Sequence, residues 1–220
     1  MEIDGRRADT IDGPLGPFFV PAEPPETRRI CEGLSRLLWV SDEYEHPDLP
    51  RDGIKRVLDI GAGWGAFASW VRKRWPGIES LDCYDPHALG CGFVSANDRK
   101  ARVHNAAVTA RPAARIHVGE DWGASSTHFN DGRGVEVRVI HPRELPPCDM
   151  LKIDAEGVEA EILSEYPALG GARIVAYEWH TPALRAECRA ICERRGGMRC
   201  LVDRDGPWGG SNGVAIWVPA

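Results

Sequence analysis

Apolar positions recur along this chain with two different periods, and the alternation between them sets out strands and helices in turn. Ile54, Val57, Leu58 and Ile60 form an apolar run of strand length that carries Asp59 and then breaks into Gly61, Gly63 and Gly65. The next segment, 66–74, reads as a helix, 78–84 as a second strand, 88–97 as a helix and 102–108 as a third strand. Shorter β-like runs lie at 115–118 and 135–140. Residues 150–153 predict a further strand, followed by a helix with Val158, Ile162 and Leu163 facing inward. A strand at 172–177 leads to a helix over 181–195, with Leu184, Cys188 and Ile191 on its inner face. Two β-like runs, 198–202 and 214–218, flank a turn and read as a C-terminal hairpin. Ahead of all this, Ile30, Leu34, Leu37 and Leu38 share one face of a helix over 26–39. Strands alternating with helices argue for an α/β fold with a largely parallel sheet. Residues 1–25, punctuated by Pro14, Pro17, Pro21, Pro24 and Pro25, read instead as an extended or partly disordered arm, leaving 26–220 as a single domain. The apolar Leu15, Phe18, Phe19 and Val20 in that arm suit packing on the domain, over the active site or on a neighbouring subunit, so a homodimer is compatible with the sequence.

Strand, tight glycine turn and helix form the opening unit of a nucleotide-binding βαβ fold. Glycine supplies backbone angles closed to other residues, and the helix N-terminus that follows offers free N–H groups to a ligand. Gly61-x-Gly63-x-Gly65 fits the turn that holds S-adenosylmethionine, while Gly61-x-Gly63-x-x-Ala66 satisfies the looser dinucleotide fingerprint. Asp85, twenty residues past Gly65, ends the second strand where an acid can hydrogen-bond ribose hydroxyls. Asn105 is placed to approach the adenine side of such a ligand. Ligands of open α/β sheets bind beyond the carboxyl ends of strands, so Asp154 and Glu156 should point toward the same crevice. His180 follows a strand end too and is the best-placed titratable base. Lys152, inside an apolar strand, invites an acidic partner. The polar loop 120–134, with Trp122, Ser125, Ser126 and His128, is a candidate substrate lid.

A chain of 220 residues buries roughly 70% of the surface it exposes when unfolded and needs no disulfide or metal staple. Its 43% apolar and 27% charged content is that of a soluble globular protein. The net charge of −6 leaves no electrostatic footprint for nucleic acid. Seven irregularly spaced cysteines without a Cys-x-x-Cys read as reduced thiols, and neither a signal-peptide core nor a membrane-length apolar run occurs. A cytoplasmic protein without a membrane partner is expected.

Several strings together resemble the FkbM family of methyltransferases: Val57-Leu58-Asp59-Ile60-Gly61-Ala62-Gly63, Tyr84-Asp85-Pro86, Asn105-Ala106-Ala107-Val108 and Gly123 to Ser126. The strongest are Leu151-Lys152-Ile153-Asp154-Ala155-Glu156-Gly157-Val158-Glu159 and Tyr177-Glu178-Trp179-His180. Asp85 stands where that family more often has Glu. The resemblance implies a Rossmann-like, doubly wound, seven-stranded, mostly parallel sheet closed by a C-terminal antiparallel hairpin. It implies S-adenosylmethionine as cofactor, held by Asp59, Gly61, Ala62, Gly63, Gly65, Asp85, Asn105 and Asp154. It further implies O-methylation of a small-molecule acceptor such as a sugar or polyketide, with His180, Asp154 and Glu156 as catalytic candidates. No metal is assigned, although Asp154, Glu156 and His180 together could gather a divalent ion. The alternatives are an NAD-dependent oxidoreductase and a non-catalytic binding or scaffold module of the same fold.

Overall fold

The computed structural model describes residues 1–40, 43–111, 115–116, 135–206 and 211–220. In chain order the elements are β1 (Glu2–Ile3), β2 (Arg6–Gly13), β3 (Gly16–Pro21), α1 (Pro25–Val40), β4 (Arg56–Ile60), α2 (Ala66–Arg74), β5 (Ser80–Asp85), α3 (Ala88–Asn97) and β6 (Arg102–Asn105). Short strands β7 (Ala107–Val108), β8 (Arg115–Ile116), β9 (Val135–Glu136) and β10 (Val139–Ile140) come next. They are followed by β11 (Met150–Ile153), α4 (Glu159–Glu165), β12 (Ile174–Trp179), α5 (Pro182–Ile191), β13 (Met198–Asp205) and β14 (Gly213–Pro219).

Seven strands form the central sheet in the order β13-β14-β12-β11-β4-β5-β6. All neighbours pair in parallel except at β14, which is antiparallel to both β12 and β13. The expected doubly wound sheet with its terminal hairpin is therefore the observed one. Side chains alternate between two cores, as the pleat requires. Val57, Leu81, Met150 and Ile216 face one core with α1, α2 and α3. Leu58, Leu151, Val175 and Trp217 face the other with α4 and α5. From β4 the chain winds outward through β5 and β6, then returns to place β11 on the other side of β4. This reversal opens a crevice at the carboxyl ends of β4 and β11.

Three expectations are corrected. Residues 1–25 do not form a loose arm: β1, β2 and β3 make an antiparallel three-stranded sheet, and Ile3, Phe18 and Val20 are buried in the first core. Pro14 lies in the β2–β3 turn, Pro17 and Pro21 towards the ends of β3, and Pro24 and Pro25 lead into α1, whose first turn needs no donor from them. On α1 the buried stripe is Thr27, Cys31, Ser35 and Leu38, whereas Ile30 is 45% exposed; the inward face is turned from the most apolar one, and Ser35 on it accepts a hydrogen bond from the Trp64 indole. The strand expected over 102–108 splits, since β5 ends at Asp85 opposite Asn105 and leaves nothing for the chain to pair with. Ala107 and Val108 pair instead with β10. The candidate lid with Trp122, Ser125, Ser126 and His128, and the segment Gly123 to Ser126, lie outside the described residues, as does the side chain of Leu37. The cysteines are free thiols, six of them buried.

Register puts Lys152 directly opposite Asp59. Both are buried on the α2 side of the sheet, with Lys152 Nζ 3.3 Å from Asp59 Oδ1 and 5.8 Å from the centre of the Phe67 ring. Removing one partner of such a pair strands a charge in a low dielectric, whereas removing both does not. Lys152→Met is therefore expected to cost about 3–5 kcal/mol in urea unfolding. Adding Asp59→Asn to it should restore more than half of that loss. A single-variant loss below about 1 kcal/mol would mean that Asp59 carries no charge to strand.

Candidate cofactor and acceptor site

The turn after β4 is shaped by glycines with left-handed backbones, Gly61 at φ 75°, Gly63 at φ 56° and Gly65 at φ 92°. A Cβ on Gly61 would lie 1.7 Å from the carbonyl oxygen of Asp154, because β11 ends directly against the turn. One on Gly65 would press on Val94 of α3 at 3.3 Å. A Cβ on Gly63 would meet no atom within 4 Å. The middle glycine thus faces open space, the vacancy a ligand lying along the turn requires.

Backbone and side chains hold this shape from below. Gly61 and Ala62 N–H both donate to the Tyr84 carbonyl, at 2.9 and 3.1 Å. Gly63 N–H donates to Asp85 Oδ2 at 2.8 Å, and His87 N–H donates to Asp85 Oδ1 at 2.8 Å. Asp85 is only 7% exposed. Burial lifts its carboxyl to about 6, and the two N–H donors only partly oppose this. Asn105 lies at the outer edge, and its amide donates to the carbonyls of Asp85 and Pro86. Asp59 does not reach the crevice. It lies beneath the turn and acts on it through Lys152, whose Nζ donates to the Gly61 carbonyl at 2.6 Å. Burial alone would lower the Lys152 pKa, but Asp59, Asp154 and Glu178 outweigh it and keep the amine charged.

A pocket of about 140 Å³ opens beside the turn, between Gly61–Gly63, Leu34 and Leu38 of α1, Phe67 of α2, and Val214 of β14. Its polar lining is Glu43, Tyr44, Lys152, Asp154, Glu178 and Asn212. Tyr44 Oη donates to Glu178 Oε1 at 2.8 Å.

Beyond this pocket the expected acids and histidine do meet. Between β11 and α4 the chain passes through Glu156 at φ 53° and Gly157 at φ 107°, so Glu156 sits in a left-handed loop and not in the first helical turn. His180 Nε2 is 3.6 Å from Asp154 Oδ1 and 3.4 Å from Glu156 Oε2. Its Nδ1 is 3.3 Å from Glu159 Oε1. Glu159 is wholly buried and accepts from the N–H groups of Ala155 and Gly157, so it both shapes the loop and anchors the imidazole. Burial by itself would lower the His180 pKa. The contact with Glu159 and the charges of Asp154 and Glu156 reverse this and hold it up to about 10. Burial and Asp154 raise the Glu156 carboxyl, and the same two causes raise Glu178. Among the described residues that could gather a metal, the set whose ligand-type atoms lie within 4.8 Å of one another is Asp154, Glu178 and His180, with Glu178 in the place expected for Glu156.

Sequence reasoning left Tyr44, Glu159 and Glu178 without a role. Glu159 carried a signal, since it stands three and four residues before Ile162 and Leu163 on the inward face of α4. Glu178 carried one as well, as an acid in an otherwise apolar strand. Tyr44 lies in a polar connector and only the fold brings it to the pocket.

No family model matches the chain, and no curated protein matches it in sequence. Solved structures do share its fold. Methyltransferase FkbM from Methylobacillus flagellatus superposes with a TM-score of 0.59 at 14% identity, over 84% of this chain and 47% of that one. This chain thus spans about half of that protein's length. DesVI from Streptomyces venezuelae gives 0.52 at 12% identity, over 90% of this chain and 98% of the other. Among the described residues no helix is long and apolar enough to cross a membrane.

Because the folded His180 titrates above its ordinary value of 6.5, its stabilising charge is fully present below that value and fades as pH rises through about 10. His180→Ala should be less stable than the parent by about 3 kcal/mol at pH 7, having left Glu159 buried without its partner. The deficit should shrink as pH approaches and passes 10. Denaturant unfolding of both proteins over this range checks it, and a deficit independent of pH would show that the histidine is held neutral.

Proposed function

We propose that this protein is an S-adenosylmethionine-dependent methyltransferase whose acceptor is a small molecule methylated on a hydroxyl. The observation that carries the reading is the open face of Gly63 above Asp85, adjoining a pocket edged by Asp154, in a fold of methyltransferase type. Bound S-adenosylmethionine would supply a methyl group activated by its sulfonium sulfur. The chain's own contribution is then positioning, exclusion of water and management of one proton.

Gly61, Ala62, Gly63 and Gly65 present the backbone to the cofactor, and Lys152 and Asp85 keep that backbone in place. Asp85 and Asn105 lie on the side where ribose and adenine would rest. Leu34, Leu38 and Phe67 give the pocket one apolar wall against its polar side. Asp154 stands between the turn and the acid–imidazole cluster, where the acceptor must approach. At neutral pH His180, as an imidazolium, has no lone pair with which to take a proton, so its role is to hold Asp154 and Glu156 in place. The proton of an acceptor hydroxyl goes to a carboxylate. Burial and the neighbouring Asp154 give Glu156 an affinity for a proton close to what a neutral-pH base needs.

Calorimetry with S-adenosylhomocysteine, S-adenosylmethionine and NAD, followed by methyl-transfer assays on hydroxyl- and amine-bearing sugars and polyketides, tests this reading. The two sulfur compounds should bind and NAD should not. Tight NAD binding without a response to either sulfur compound would favour the oxidoreductase, and binding without transfer would favour a scaffold. S-adenosylhomocysteine affinity should also weaken as pH falls through about 6, where Asp85 takes up a proton and weakens its hold on Gly63. Asp85→Asn should bind about tenfold more weakly at pH 7.5, the worth of roughly one charge-assisted hydrogen bond, and lose that pH dependence. An unchanged pH profile in Asp85→Asn would remove Asp85 from the cofactor site.

A further inference from the structure

The Asn97 side chain ties the N-terminal sheet to the glycine turn. Asn97, the last residue of α3, uses its carboxamide for three hydrogen bonds. Its Oδ1 accepts from Phe19 N–H at 2.7 Å, and its Nδ2 donates to the Phe19 carbonyl at 2.9 Å and to the Trp64 carbonyl at 3.1 Å. Two of the bonds treat Asn97 as a substitute strand partner for β3. The third reaches the turn between Gly63 and Gly65. Trp64 is held on its other side as well: its indole N–H donates to Ser35 Oγ of α1 at 2.8 Å, in a buried contact.

The sheet also reaches the start of α2 by a second route. Phe18 packs edge-on against Trp39 with ring centres 4.8 Å apart, and the Trp39 indole donates to the Ala66 carbonyl at 3.0 Å. On the far side, the Asp4 carboxylate lies so close to α3 that a Cβ on Gly92 would be 1.9 Å from Asp4 Oδ2. The sheet therefore sits on α3 and α1 at once, and both helices hold the stretch 64–66. A turn whose middle glycine must stay open to a ligand has few contacts of its own on that side. Its geometry has to be imposed from behind.

We propose that the N-terminal three-stranded sheet is a working part of the cofactor site, with Asn97 as the positioning residue that couples the two, so that docking of the sheet and occupancy of the glycine turn stabilise each other. This rests on the proposed S-adenosylmethionine site. The coupling is reciprocal by thermodynamic necessity: whatever factor a docked sheet adds to cofactor affinity, the cofactor adds to docking of the sheet.

The test compares the full-length protein with Asn97→Ala, Asn97→Asp and Leu169→Ala. Leu169 is buried in the core on the opposite face of the sheet, so Leu169→Ala lowers stability without touching the N-terminal sheet or the turn, and controls for stability alone. S-adenosylhomocysteine is the probe, read by calorimetry, with amide hydrogen exchange at Phe19, Gly63 and Gly65. Asn97→Ala should weaken the probe about tenfold, the size of one or two lost hydrogen bonds, while Leu169→Ala stays within about twofold of the parent. Asn97→Asp keeps the acceptor for Phe19 N–H but loses the donors to the Phe19 and Trp64 carbonyls, and should weaken the probe at least as much. In the parent, the probe should slow exchange at Phe19. Equal losses in Asn97→Ala and Leu169→Ala, or no loss in Asn97→Ala, would overturn the proposal. If the parent does not bind the probe, the cofactor reading fails. The clamp is then judged by exchange without ligand, where Asn97→Ala must speed exchange at Gly63 and Gly65 more than Leu169→Ala does; equal effects would overturn the clamp too.

Discussion

One buried ammonium group organises the ligand end of this sheet. Lys152 Nζ is shared among Asp59, Asp154 and the Gly61 carbonyl, and it is 4% exposed. A lysine in the middle of a parallel sheet is tolerable only because Asp59 stands opposite it on β4 with no exposure at all. The pair spans β4 and β11, the two strands flanking the topological switch point. The same amine then fixes the first carbonyl of the glycine turn and the carboxylate that ends β11. Turn and strand end are thereby held in one arrangement, with Lys152 at the pocket's edge and Asp59 beneath it.

Around that cation the site gathers more negative than positive charge. Glu43, Asp154 and Glu178 line the pocket, and Glu156 and Glu159 flank it through His180. The surplus holds the His180 pKa up, and burial together with Asp154 raises the proton affinity of both Glu156 and Glu178. An acidic pocket suits a sulfonium donor, whose positive charge it would stabilise on arrival. It also places groups with raised proton affinity beside the point where an acceptor would shed a proton.

The N-terminal sheet stands behind the same turn. The turn is anchored at Gly61 by Lys152 and at Gly63 by Asp85, both from within the central sheet. The following residues, Trp64 to Ala66, depend on α1 and α3, and these helices are in turn covered by β1–β3. The pocket wall of Leu34 and Leu38 belongs to α1, so the N-terminal elements build one side of the site as well as its support.

Much of this was legible beforehand, and the reason is local. The bounds of α2, α3 and β11 follow from periodicity and from the glycines and acids that end them. The left-handed turn follows from Gly61, Gly63 and Gly65, since only glycine adopts those angles without cost. Acids placed after strand ends had to meet at the switch point, so Asp154, Glu156 and His180 were found together. What periodicity could not convey is contact between distant residues. Prolines in residues 1–25 spoke for a loose arm, although β2 and β3 pair locally across the turn from Gly13 to Gly16; the Asn97 clamp that holds β3 to the domain lies 78 residues away in the chain. The family resemblance implied a ligand contact for Asp59, whereas the β4–β11 register buries it against Lys152. An isolated histidine reads as a base; Asp154, Glu156 and Glu159 around this one raise its pKa, which the sequence spacing did not show. Local sequence determined the elements and the turn, and the tertiary structure alone decided the charge state and the partners of each group, because those depend on which distant side chains share a buried volume.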